Sequence, residues 1–140
     1  TFSVVVLRTS LTGMFGQVRS LDLAYTGCPS NPHPARLQQF DDHIVLSYEE
    51  YGGVRTIYFD DRDLVGGEHS NFGQSISRYE GQELIIETTR LLANLTNPNG
   101  NAITDQTTTV ETYYRNEDVD GASALVLEMV ITDPGHLTGP

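Results

Sequence analysis

The chain has one cysteine, no lysine, no tryptophan and no long apolar run. Each scarcity closes off a class. A lone Cys28 excludes an internal disulfide framework and any cysteine-based zinc cluster. We read it as a packed small hydrophobe, with an intermolecular partner or a free thiol as the alternatives. The longest apolar stretches, such as 4–7 (VVVL), are strand-length and far short of the roughly 18 residues of a spanning helix. All eight basic residues are arginine, against nineteen acidic ones, giving a net charge of −11 and a pI near 4.5. Such a surface repels phosphate backbones, which makes nucleic acid and anionic membranes poor partners. The chain also starts at Thr1 with no methionine, and only one basic residue precedes Gln17. We expect a processed, extracytoplasmic product (periplasmic, cell-surface or secreted) whose export signal has been removed. The acidic, Arg-only, Thr/Asn/Gly-rich composition leans the same way.

What is present is period-two hydrophobicity. The 140 residues, 15.5 kDa, fit one domain, 1–140, long enough to withdraw about 70% of its extended surface from water. Residues 43–48 (HIVLSY) and 54–59 (VRTIYF) flank a loop ending in Gly52-Gly53 and predict a hairpin. A second hairpin is predicted from 75–79 and 84–88 around Gly81, and a third from 107–114 and 124–132 around an acidic loop. Residues 36–40 and 2–7 add further strands, the latter within an N-terminal stretch, 1–27, that precedes the hairpins of 28–140. Only 88–95 has a Leu/Ala-rich, helix-like look, and Pro98 follows it. The irregular stretches are 27–34 and 60–73. The pattern predicts an all-β antiparallel meander closing into a barrel or sandwich, lipocalin- or streptavidin-like in outline, with little or no helix.

Alternation adds a constraint. In the third hairpin we group Val110, Thr112 and Tyr114 with Leu125, Leu127, Met129 and Ile131. The other face then carries Thr109, Glu111 and Tyr113 with Val126, Glu128 and Val130. In the second, Leu84 and Ile86 oppose a face of Ile76, Arg78, Ile85 and Glu87. Half-apolar, half-charged faces are unlike the mostly charged side of a one-sided sheet. A lumen, a second sheet or another subunit is expected to cover them.

Residues 73–89 (GQSISRYEGQELIIETT) resemble the motif G-H-S-x-G-x-W-E-G-D-T-L-V-V-D/E-T of a family of uncharacterised, mostly exported bacterial proteins. Neighbouring segments agree: 44–49 (IVLSYE) and 54–62 (VRTIYFDDR) are similar to its V-I-L-Y-E and V-R-x-I-Y-T-D-G-R, and 129–134 (MVITDP) to its V-T-I-x-D-P. The resemblance covers about residues 28–138. This chain departs at Gln74, where histidine is usual, and at Ser77, Tyr79 and Gln82, for glycine, tryptophan and aspartate. The resemblance implies fold and export rather than a particular chemistry, and the missing histidine weakens an enzymatic reading.

Several clusters carry candidate chemistry. Asn116, Asp118 and Asp120 before Gly121 match the alternating oxygen ligands of a calcium loop, but Leu127 stands where the closing acid belongs. We therefore read an acidic hairpin tip and keep calcium as the alternative; no other cofactor is expected. Asp60, Asp61, Arg62 and Asp63 with Glu68 and His69 form the densest polar group, read as an ordinary charged loop, with general-base or metal-ligand chemistry as the alternative. His33, His43 and His136 have no partner at ligand spacing. No serine elbow, phosphate loop or dinucleotide fingerprint is present. Residues 94–96 (NLT) match the acceptor pattern for N-glycosylation.

Two function classes remain. If the mixed face lines a lumen, Arg55, Arg78, Glu87, Glu111, Tyr113 and Glu128 converge there, and carboxylates among apolar walls suit an isomerase, cyclase or lyase acting on a small apolar ligand. The favoured alternative places those residues outward as cross-strand ion pairs. The domain is then a non-catalytic, exported module acting by binding or self-association. The run Phe2, Val4, Val5, Val6, Leu7 would supply an uncharged edge for a homo-oligomer or filament-like chain.

Overall fold

Residues 43–48 show how the sequence becomes sheet: in His-Ile-Val-Leu-Ser-Tyr every second side chain is apolar, and Ile44 and Leu46 are buried while their neighbours are not. The structure, a computed structural model, describes residues 9–10, 20–23, 35–48, 52–59, 67–95, 102–117 and 123–135. Its strands are β1 (Thr9–Ser10), β2 (Ser20–Leu23), β3 (Ala35–Gln39), β4 (His43–Tyr48), β5 (Val54–Tyr58), β6 (Gln74–Glu80), β7 (Glu83–Thr89), β8 (Asn94–Leu95), β9 (Ala102–Ile103), β10 (Thr108–Glu117) and β11 (Ser123–Thr132). Nine form one sheet in the order β1-β11-β10-β7-β6-β5-β4-β3-β2, and β8 pairs with β9 apart from it. The sheet curls, and seven of its strands make a half-barrel. The described part of the chain is all-β and barrel-like.

The three expected hairpins are present as β4–β5, β6–β7 and β10–β11. Gly81 turns the second of them at φ 63, a conformation open to glycine without a Cβ penalty. The meander, however, is not antiparallel throughout. β5 and β6 run parallel, with Ile57 opposite Ser75 and Tyr58 opposite Ile76. Residues 59–73 make the connection. Parallel neighbours need a connection of a dozen or more residues, and the length of this stretch meets that need. Nor is 88–95 helical. Arg90 sits at φ 57, a left-handed geometry that no right-handed helix passes through. It is held there by Ser70 N–H donating to its carbonyl and by its own Nη1 donating to the Gly67 carbonyl.

The register corrects the face grouping of the third hairpin. Glu111 lies opposite Met129 and Tyr113 opposite Leu127, so these two share a face with Leu84 and Ile86 on β7, not with Val126 and Glu128. A slip of one residue exchanges the faces of a whole strand. The concave face gathers the core: Ile44, Leu46, Ile57, Leu84, Ile86, Tyr113 and Leu127, with Leu37, Tyr48 and Phe59 packed against them. On the convex face Ile85 and Val126 are also buried, Ile76 is half-buried, and Val130 is exposed.

Asp133 fastens the end of β11 to the turn before β10. Its carboxylate accepts from Thr104 N–H and Oγ1–H at 2.7 Å each, from Thr107 Oγ1 at 3.0 Å and from Gly135 N–H at 2.9 Å. Burial alone would raise its pKa; the hydrogen bonds from Thr104, Gly135 and Thr107 outweigh that and hold it well below the usual carboxylate range. A lowered folded-state pKa stabilises above the unfolded value, about 3.9, and that stabilisation is lost as pH falls through the folded one. The stability difference between wild type and Asp133→Asn is therefore expected to be constant above about pH 5 and to shrink below it, as read by thermal melts across pH. A packing test accompanies it: in urea, Ile86→Ala is expected to cost roughly 2–5 kcal/mol and exposed Val54→Thr less than about 0.5 kcal/mol.

Candidate functional site

At the centre of the concave face lies a rung of polar side chains drawn from four adjacent strands. Arg55 projects inward from β5 because it shares its parity with Ile57; Ser75 does so on β6, Thr88 on β7 and Glu111 on β10. Arg55 Nε donates to Ser75 Oγ at 2.9 Å and Nη2 donates to Thr88 Oγ1 at 2.5 Å. Ser75 and Thr88 hydroxyls are 3.0 Å apart. The guanidinium then meets the Glu111 carboxylate, with Nη2 2.6 Å from Oε2. That contact is one of charge without hydrogen-bond alignment, since the buried Oε2 accepts no hydrogen bond.

The electrostatics follow from burial. Arg55 and Glu111 are 7% and 3% exposed. Desolvation by itself would lower the arginine's pKa; the nearby Glu111 carboxylate more than reverses this and drives it above its ordinary value. Tyr48 and Tyr113 act on the guanidinium in the same sense, so it is permanently charged. The arrangement ties β5 to β6, β7 and β10.

The remaining residues of the expected lumen set lie elsewhere. Arg78, Glu87 and Glu128 are on the convex face. Arg78 donates through Nε to Glu80 Oε1 at 2.7 Å and through Nη1 to Glu87 Oε1, which, Glu87 first, raises its pKa. All three side chains of that triad are widely exposed, so water and salt screen it. Glu128 accepts from the Tyr114 hydroxyl at 2.8 Å, which raises the phenol's pKa. The six residues therefore do not converge: Arg55, Glu111 and Tyr113 share the interior, while Arg78, Glu87 and Glu128 face solvent.

Of the calcium candidates, Asn116 is exposed on β10, and Asp118 and Asp120 lie outside the described residues. Phe2, Val4, Val5, Val6, Leu7, Cys28, His33, His136 and the acidic stretch 60–63 also lie outside them. Glu68 is exposed, and His69 Nδ1 is 2.9 Å from the Leu91 carbonyl oxygen. His43 Nδ1 is 2.6 Å from Asp42 Oδ1. Among the described residues no three histidine, cysteine, aspartate or glutamate side chains are placed to share a metal ion. Ser75 and Thr88 are the members of the rung that sequence reasoning missed. Their signal was parity: Ser75 alternates with Ser77, and Thr88 continues the inward row of Leu84 and Ile86.

Comparison with family models, with curated proteins and with solved structures finds no match to this chain. The site therefore rests on its own geometry.

Removing one partner of a buried pair strands the other, whereas removing both does not. Arg55→Met and Glu111→Leu are each expected to cost about 3–5 kcal/mol, and the double variant to recover most of that loss. Denaturant unfolding of the four proteins measures the coupling. Single losses under about 1 kcal/mol would mean that the pair is solvated.

Proposed function

We propose that this chain is a non-catalytic, exported β domain that acts through its outer surface by self-association. The observation that carries the reading is the disposition of its buried charges. Among the described residues these are Arg55, Glu111 and Asp133, and each is occupied: the first two by one another, the third by Thr104, Thr107 and Gly135. Among the described residues, an isomerase, cyclase or lyase built on interior carboxylates would have to rely on Glu111 or Asp133, both already engaged, since Glu87 and Glu128 lie on the convex face. The resemblance of 73–89 to a family of mostly exported proteins supports the extracytoplasmic setting.

The convex face supplies the surface. Val110 and Val130 stand directly opposite each other on β10 and β11 and are 38% and 43% exposed. Thr108 and Thr132 are the next same-face pair along the same strands, which makes a four-residue patch without charge. Apolar side chains paired across strands gain by exchanging water for a second such face. Two copies related by a two-fold axis would each offer the same patch, a self-complementary arrangement that closes as a dimer.

Sedimentation velocity over a wide concentration range tests this. Wild type is expected to shift towards a dimer with concentration, and Val110→Glu/Val130→Glu to stay monomeric with an unchanged far-ultraviolet spectrum. A wild type that is strictly monomeric at high concentration rejects the proposal.

A further inference from the structure

One end of the sheet, where the β3–β4 turn meets the last residues of β5 and β6, holds aromatic rings on both sides. On the concave side Phe59 and Tyr79 are stacked with centroids 5.9 Å apart, and the Tyr79 hydroxyl donates to Gln39 Oε1 at 3.1 Å. On the other side Phe40 lies on the His43 imidazole at 4.6 Å and 11°, with Tyr58 6.1 Å from His43. The two stacks belong to one rim, because Phe59 N–H donates to the Asp42 carbonyl at 3.1 Å.

The rim is not simply core that reaches the surface. Phe40 and Tyr79 are 47% and 45% exposed, so each ring has a partner on one side and open area besides. Stacking has fixed both rings, and a fixed ring loses little freedom when a ligand lies on it. Exposed carboxylates stand beside them: Asp41 and Asp42 within the turn, Asp42 also lying against His43 Nδ1, and Glu80 directly after Tyr79. Arg78, the nearest arginine in sequence, is engaged by Glu80 and Glu87. Aromatic faces, carboxylates and a net charge of −11 all attract positive charge, the first through the ring quadrupole and the last by long-range steering.

We propose that this rim is a docking surface for a basic, arginine-containing segment of a partner protein, with guanidinium planes on the open faces of Phe40 and Tyr79 and with Asp41 and Asp42 meeting their charge. Guanidinium suits the site better than ammonium because it is planar, stacks on rings and is weakly hydrated. The surface is distinct from the Val110/Val130 patch, so it stands or falls independently of self-association.

Titration calorimetry and amide-shift mapping with a hexa-arginine peptide test the proposal, using hexa-lysine and a neutral glucan hexasaccharide as comparators. Hexa-arginine is expected to bind more tightly than hexa-lysine, to weaken as salt rises and to shift amides in 39–43 and 78–80. Phe40→Leu and Tyr79→Leu keep apolar bulk without a π face. Each is expected to weaken hexa-arginine roughly two- to fivefold, with an unchanged far-ultraviolet spectrum at the binding temperature, while Val54→Thr changes nothing. Binding undiminished in the double leucine variant would mark diffuse attraction to an acidic protein and overturn the proposal. So would absence of hexa-arginine binding, or hexasaccharide binding lost in the same variants, which would make the rim a glycan surface.

Discussion

The Arg55 guanidinium crosses the seam on which the sheet depends. In the described sheet two antiparallel ribbons, β2 to β5 on one side and β6, β7, β10, β11 and β1 on the other, are joined as strands where β5 runs parallel to β6. There the register comprises two residue pairs. So short a ladder fixes little by itself, and side chains complete the joint. Arg55 reaches from the first ribbon to Ser75, Thr88 and Glu111 of the second. Ser77 Oγ donates to the Tyr58 carbonyl at 3.2 Å, Phe59 stacks on Tyr79, and Tyr48 stacks on Phe72 at 5.8 Å and 2°. The last contact needs Gly53, since a Cβ there would lie 2.4 Å from the Phe72 ring.

A buried ion pair adds little net stability over apolar residues of the same volume. Its value at a short seam is discrimination. Sliding β6 by two residues keeps every side chain on its own face but displaces Ser75 by about 6–7 Å along the strand. An apolar joint would tolerate such a slip. Arg55 would not when the second ribbon moves as a unit, because Thr88 and Glu111 would leave its guanidinium by the same distance. The pair thereby favours one register at a weakly specified parallel junction.

Local chemistry made most strands legible from sequence. Val, Ile and Tyr alternate at 43–48 and 54–58, and Gly81 turns β6 into β7, so those elements follow from nearest neighbours. The seam was not legible in that way, because two parallel strands are joined by a connection whose path the residues along it do not announce; the length of 60–73 was the available hint. Face assignment in the β10–β11 hairpin failed for a related reason. Both strands alternate cleanly, but parity does not fix which residue of one strand faces which of the other, and an error of one residue exchanges the faces. The mixed-face set holds Arg55 and Glu111 alongside Arg78, Glu87 and Glu128, which lie on the other face. Parity could not identify Ser75 and Thr88 as partners of Arg55 and Glu111, because small hydroxyl residues mark a face only once the register is known.

The division of charge between the faces bears on how such a domain would meet others. Inside, Arg55 and Glu111 cancel; outside, the Arg78 triad is wet and most of the excess negative charge has no arginine to balance it. Two copies approaching through the uncharged Val110/Val130 patch carry −11 each, so their repulsion opposes the apolar gain. Salt shortens the reach of that repulsion to about 8 Å at physiological ionic strength and leaves the apolar gain intact. The aromatic rim responds in the opposite sense, because its attraction for a basic segment is itself electrostatic and is screened by the same ions. Ionic strength would therefore favour contact between copies at one surface while disfavouring a basic partner at the other, a consequence of placing an uncharged patch and an acidic rim on one strongly negative body.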